Sequence, residues 1–221
     1  MNRELHITKD NSHTIYVPEI DEHYHSKFGA IKESKHVFIN AGLRYYGKQN
    51  LKVFEIGFGT GLNMLLTMIE ATKSGIIIEY YSIDNFPLDL KIINELNYTD
   101  ILKLNETEKN LFYRMHNEKW NTDIKLNNNF KFTKINNDIS RYQIPFFYDL
   151  VYFDAFAPDK QPEIWSKDIF QKIFNNLISN GILITYCAKG SVKRTLQSVG
   201  FHVEGIPGPT GKREMIRARK L

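Results

Sequence analysis

The chain has 221 residues, a formal net charge of +4, 42% hydrophobic and 24% charged residues, and a single cysteine, Cys187. Its length suits one generous globular domain, and its composition excludes a disordered or fibrous chain. One cysteine excludes an internal disulfide framework; no apolar run approaches the ~20 residues of a membrane span, and the opening MNRELHITKDNS has no secretory apolar core, so a cytoplasmic protein is expected.

In chain order, residues 3–8 and 13–17 alternate as a hairpin with its turn at Asp10-Asn11-Ser12. An apolar-periodic segment from Glu33 to Leu43 predicts a helix that stops near Gly47. Leu51–Ile56 reads as a strand, Gly57-Phe58-Gly59-Thr60-Gly61 as a glycine turn, and Leu62–Thr72 as a helix. A second strand, Ile76–Ile83, ends in Asp84, and a helix is expected over 88–96. Residues 97–129 carry the weakest pattern, with one helix around Glu106–His116 and an Asn-rich turn at 127–129. Further strands are expected at 130–135, 150–153 and 182–187, with helices over 167–177 and 191–199. Two closing strands, 201–206 and 214–218, flank the turn at 207–211 and should pair antiparallel at a sheet edge. Strands alternating with helices imply an α/β fold, a mostly parallel doubly wound sheet covered on both faces. Residues 1–47 are expected to form an N-terminal extension, and 48–221 the main domain.

The turn at 57–61 follows a strand and opens a helix, so its glycines permit a sharp bend and close approach of a ligand to the backbone. Its G-x-G-x-G spacing differs from the G-x-G-x-x-G of dinucleotide binders. With Glu55 inside the strand end it is similar to the loop of S-adenosylmethionine (SAM) enzymes. Asp84 ends the next strand, where a carboxylate can accept ribose hydroxyls. Asn137-Asp138 reads equally as an adenine-side group and as a turn or helix cap. Asp154 ends an apolar strand within Tyr152-Phe153-Asp154-Ala155-Phe156-Ala157-Pro158, at the carboxyl edge where open sheets bind ligands. There it could take a proton from an amine being methylated, a reaction that needs a neutral, aligned nitrogen lone pair. The competing reading of Asp154 is a helix N-cap.

His23, His25 and His36 have no companion cysteine and no ligand spacing, so no metal site is expected. Cys187 reads as a small core residue, and Trp165, Phe156 and Tyr186 as core or pocket wall. From Lys189 onward there are eight basic side chains against Glu204 and Glu214 alone. Such a stretch attracts a polyanion such as RNA, though a solvated basic tail would have the same composition.

The stretches EIGFGTGLN (55–63), DNFPL (84–88), DAFAPDKQPEIW (154–165), TYCAKGSVKRTLQSVGF (185–201) and PGPTGKREM (207–215) together resemble the methyltransferase family called MnmD. This family forms the N-terminal half of the bifunctional tRNA 5-methylaminomethyl-2-thiouridine biosynthesis protein MnmC. The upstream HYHSKFGAIKESKHVFINAGL (23–43) resembles the segment preceding the SAM domain in that family. The resemblance implies methylation of the aminomethyl nitrogen of 5-aminomethyl-(2-thio)uridine at the tRNA wobble position. It implies that Glu55, Gly57, Gly59, Gly61, Asn63 and Asp84 hold SAM, that Asp138 lies near the adenine, and that Asp154 faces the substrate amine. Lys189, Lys212 and Arg213 would lie toward the tRNA anticodon region, and Glu33 would help close the pocket. The FAD-dependent oxidase half has no counterpart here, so no FAD is expected and the aminomethyl nucleoside would come by another route. The glycine usual after the motif aspartate is Ala155, and residues 97–129 match no family block. Two other functions fit the sequence less fully: a SAM-dependent enzyme acting on a small-molecule or protein amine, and a non-catalytic RNA-binding module. A nicotinamide dehydrogenase would need different glycine spacing.

Overall fold

In the computed structural model, which describes residues 2–221, strands β1 (Glu4–Ile7) and β2 (His13–Val17) form the expected hairpin. A two-residue strand, β3 (Glu22–His23), extends it to three. The helix expected over 33–43 begins earlier. Helix α1 (Ala30–Ser34) runs without a break into a π-helix, Lys35–Arg44, and Gly47 ends the segment with its N–H on Leu43 O. The earlier start has a non-local cause. Asp10, in the hairpin turn, accepts the Lys32 backbone N–H at 2.9 Å, and Ser12 Oγ accepts that of Ile31 at 3.3 Å. The hairpin thus supplies the N-terminal acceptors that the local sequence lacks.

From residue 50 the chain alternates as expected: β4 (Asn50–Ile56), α2 (Leu62–Ser74), β5 (Ile77–Asp84), α3 (Leu90–Glu95). The indistinct region 97–129 contains α4 (Tyr98–Ile101), α5 (Glu106–Asn117) and a three-residue strand, β6 (Asp123–Lys125). Helix α5 starts with a capping box in which Asn105 and Glu108 bond each other's backbone N–H. Then come β7 (Phe130–Asn136), β8 (Tyr148–Phe153), α6 (Lys167–Asn176), β9 (Leu177–Thr185), α7 (Gly190–Ser198), β10 (His202–Pro207) and β11 (Glu214–Arg219). Strand β9 thus starts five residues before the expected 182 and stops before Cys187, which lies buried just beyond it.

The eight main strands lie in the order β10-β11-β9-β8-β4-β5-β7-β6. Those from β9 to β7 are parallel, whereas β6, β10 and β11 run antiparallel to their neighbours. Antiparallel strands therefore close both edges, not only the expected one. Along β8, Leu150 and Tyr152 join the core under the π-helix and α2, while Val151 and Phe153 join the core under α6 and α7. Phe38 of the π-helix packs on Tyr152 at 5.0 Å between ring centroids, so residues before 47 share the core of the main sheet. Strand order reverses at β4, which pairs with β5 on one side and β8 on the other. In open α/β sheets a crevice forms beyond the strand ends at such a switch point.

Candidate active site

The crevice at the carboxyl ends of β4, β5 and β8 is a cavity of about 650 Å³. Its floor is the glycine loop. Gly57, at φ +93°, donates its N–H to Ile83 O, and a Cβ there would lie 2.6 Å from the Asp154 carbonyl oxygen. Only glycine suits both the left-handed backbone and this approach of β4 to the end of β8. Gly59, at φ +49°, donates its N–H to Asp84 Oδ2 at 2.9 Å, and Phe86 N–H reaches Oδ1 at 2.8 Å. Two backbone donors thus fix the Asp84 carboxylate against the cavity, while burial raises its pKa.

Asp154 lies on the opposite wall. Its Oδ2 accepts Asn63 Nδ2–H at 2.8 Å, and the same Nδ2 donates to Glu55 Oε1 at 3.0 Å. Burial pushes the Asp154 carboxyl up to about 7; the Glu33 charge adds to the rise, and the Asn63 bond and Lys212 oppose it. Glu55 is wholly enclosed, bonded also by Ser82 Oγ at 2.6 Å, and its carboxyl is pushed up to about 8, again mainly by burial. Asp154 caps no helix, because it leaves β8 in irregular backbone and its side chain accepts from α2.

The N-terminal elements roof the cavity. Glu33 on α1 is buried and accepts the Ser26 backbone N–H at 2.8 Å and Lys212 Nζ–H at 2.8 Å. Lys212 Nζ also stands 3.9 Å from the centroid of the Tyr186 ring, whose hydroxyl donates to Ala155 O at 2.8 Å. Asp138 borders the cavity and accepts the Ser140 N–H at 2.8 Å in a tight turn; bonds from the Ser140 hydroxyl and N–H lower its carboxyl, as the turn reading expects.

Of the expected site residues, Gly57, Gly59, Asn63, Asp84, Asp138, Asp154, Glu33 and Lys212 border the cavity. Four do not. Glu55 sits behind Asn63, where enclosure on every side keeps it from a ligand. Gly61 lies under the loop at the start of α2, packed on His116. Lys189 is exposed and ion-paired with Asp159, and Arg213 borders a separate shallow groove with Pro207 and Glu214. Sequence reasoning missed Tyr24, whose ring covers Gly59, and His25, whose Nε2 lies 2.8 Å from Thr60 Oγ1. Burial drives the His25 ring down to about 4, so it is a neutral structural partner. The segment around them has no periodicity, and only its place in the upstream family block marked it. His36 bonds Pro207 O at 2.9 Å and His23 lies beside His6, so the three histidines named from the sequence stand apart. Among the described residues no cluster of three or more His, Cys, Asp or Glu side chains is placed to hold a metal.

The cavity fits SAM. Both Nδ2 protons of Asn63 are used on carboxylates, while its buried Oδ1 has no hydrogen-bond partner in the protein. An acceptor left over beside the glycine loop suits the ammonium of a bound amino-acid moiety. Asp84, held by two backbone donors, keeps acceptor capacity for ribose hydroxyls at the other end.

A family model described as S-adenosyl-L-methionine-dependent methyltransferase matches residues 99–221. The tRNA 5-methylaminomethyl-2-thiouridine biosynthesis bifunctional protein MnmC of Campylobacter hominis is 32% identical over 196 residues, 84% of this chain and 28% of that protein. Its namesake from Leptospira interrogans is 29% identical over 222 residues, 95% of this chain and 34% of the relative. The chain thus spans about a third of the length of these curated relatives. Among solved structures, MNMC2 from Aquifex aeolicus superposes with a TM-score of 0.79 at 23% identity, covering 99% of this chain and 70% of that one. Spermidine synthase from Thermotoga maritima follows at 0.56 and 9% identity, over 99% and 71% of the two chains. Both structures support the fold alone, but the family model covers more than half of the sequence, and by that match the chain belongs to the S-adenosyl-L-methionine-dependent methyltransferases.

Proposed function

We propose that the chain methylates the aminomethyl nitrogen of 5-aminomethyl-(2-thio)uridine at the tRNA wobble position, in the cytoplasm, giving the 5-methylaminomethyl form. Its MnmC relatives are named for biosynthesis of that nucleoside. The observation that carries the reading is the half-buried Asp154 carboxylate, held by Asn63 at the wall of a cavity of about 650 Å³.

SAM, when bound, supplies an electrophilic methyl group on a sulfonium. Gly57, Gly59, Asn63 and Asp84 would hold it, with Asp138 toward the adenine. The protein's own work is done mostly at the acceptor. Asp154 takes the proton that leaves the amine, so the nitrogen presents a lone pair. Asn63 keeps that carboxylate in one orientation, with Glu55 behind it as its brace. Tyr24 and Phe156, edge to face at 5.1 Å, wall the cavity and limit access of water. Alignment and desolvation, not a covalent intermediate, provide the acceleration. Arg213 and Lys189 lie outside the cavity, where they would meet tRNA phosphates.

The test is methyl transfer from labelled SAM to tRNA carrying the aminomethyl wobble nucleoside, with Asp154→Asn alongside. Label should appear in the 5-methylaminomethyl nucleoside, and the variant should lose roughly 10²–10⁴-fold in rate. No incorporation by a protein that binds S-adenosylhomocysteine would leave the family intact and retire the tRNA substrate.

A further inference from the structure

Lys212 carries into the cavity the same chemical group that the proposed acceptor presents, a methylene bearing a primary ammonium. Its Nζ stands 2.8 Å from Glu33 Oε1 and 3.9 Å from the Tyr186 ring centroid. The remaining Glu33 oxygen is fixed by the Ser26 N–H, and the Tyr186 ring is fixed by its hydroxyl on Ala155 O. Asp154 lines the same cavity as Glu33, Tyr186 and Lys212, and beyond the effect of burial its carboxyl is raised by Glu33 and lowered by Lys212. A carboxylate on one side, an aromatic face on another and a second carboxylate nearby make a cage suited to an alkylammonium ion.

We propose that Glu33, Tyr186 and Asp154 form the subsite for the acceptor's primary alkylammonium group, and that Lys212 occupies this subsite until an acceptor displaces it. The inference rests on reading the acceptor as an amine, and it holds for any primary alkylamine. Exchange of one ammonium for another keeps the buried Glu33 paired throughout. That avoids the large penalty of an uncompensated buried carboxylate. Lys212 has a way out: its side chain is 35% exposed and it follows Gly211, at φ +90°, in the loop between β10 and β11. Once displaced, it stands at the cavity rim beside Arg213, where a phosphate can take it up. Entry of the correct polyanionic substrate would thus provide the site that receives the departing lysine.

The probe is n-butylammonium, titrated by calorimetry into protein saturated with S-adenosylhomocysteine. Lys212→Met should bind it at least tenfold more tightly than the wild type, and adding Glu33→Gln to that variant should abolish the gain. Binding that is no tighter in a cooperatively folded Lys212→Met protein, or a gain that survives Glu33→Gln, overturns the subsite. Should Lys212→Met fail to fold, the wild type labelled with ¹³C-lysine decides. The Lys212 ε-methylene over the Tyr186 ring should resonate upfield and return to the solvated-lysine position as n-butylammonium saturates; no movement overturns the proposal. These readouts do not require turnover. A protein that passes them yet methylates no tRNA would keep the alkylammonium subsite and lose only the tRNA substrate.

Discussion

Asn63 donates to Asp154 Oδ2 at 2.8 Å across 91 positions of sequence, tying the first turn of α2 to the end of β8. The same nitrogen holds Glu55, so one carboxamide separates a buried carboxyl from a half-buried one. Replacing Asn63 with Leu should leave both acceptors short of a donor, at about 1–3 kcal/mol each. A urea melt should show that loss. Methyl transfer should fall by at least tenfold even where the cofactor is saturating, because Asp154 is no longer aimed.

As the proposed base, Asp154 would work only when ionised, and burial pushes its carboxyl up to about 7. The rate at low acceptor concentration should therefore fall about tenfold per pH unit below that value. Its neighbours set the midpoint. The Glu33 charge raises it, and both Lys212 and the Asn63 bond lower it. Glu33→Gln should move the acid limb to lower pH, and Lys212→Met should move it to higher pH. Limbs that stay in place in both variants would mean that another group controls the profile.

Glu55 affects stability in a definite direction. Its folded-state carboxyl lies near 8, above the 4.5 of a free glutamate, so the folded chain keeps a proton that the unfolded chain releases. That contribution is fully present below pH 4.5 and is lost as pH rises through about 8. Between pH 5 and 9 the wild type should lose stability that Glu55→Gln retains. Urea midpoints for the two proteins, measured across that range, should diverge on the alkaline side.

At Gly57 both the backbone angle and the space exclude a side chain. The Gly57→Ala change puts a Cβ 2.6 Å from the Asp154 carbonyl oxygen at φ +93°. A cost on the order of 1–3 kcal/mol is expected from the backbone alone. Relief of the contact must also shift Asp154, so activity should drop further than cofactor affinity. Calorimetry with S-adenosylhomocysteine and a turnover assay separate the two effects.

The sheet and its glycine loop were legible because they are written locally. Strands of six to eight residues carry apolar runs, and Gly57 and Gly59 follow one directly. Asp84 and Asp154 were found because a strand end is itself a place in the fold. Pairings across the chain were not legible. Lys212 and Glu33 lie 179 positions apart, and nothing in either neighbourhood announces the other. The start of α1 was missed for the same reason, since its cap is Asp10 in a hairpin 20 residues upstream. Strand β6 was missed because three residues cannot display a period, and only its pairing with β7 defines it. Glu55 stands behind the cavity lining, which a motif alone does not show, because it gives position but not facing: along β4 the side chain bonds Ser82 and Asn63.

Arg213 offers a test of the proposed polyanion binding apart from chemistry. It is exposed, borders the groove with Pro207 and Glu214, and lies one residue from the cavity. Lys212 pairs inward with Glu33, so Arg213 is the member of that basic pair free to meet a phosphate without disturbing the acceptor site. Arg213→Glu should weaken tRNA binding, and the slope of log K against log salt should fall by about one for the lost phosphate contact. Affinity for S-adenosylhomocysteine should not change, nor should turnover of the free 5-aminomethyluridine nucleoside. Filter binding at several salt concentrations measures the slope. An equal loss with tRNA and with the free nucleoside would show that Arg213 supports the loop carrying Lys212, and not the nucleic acid.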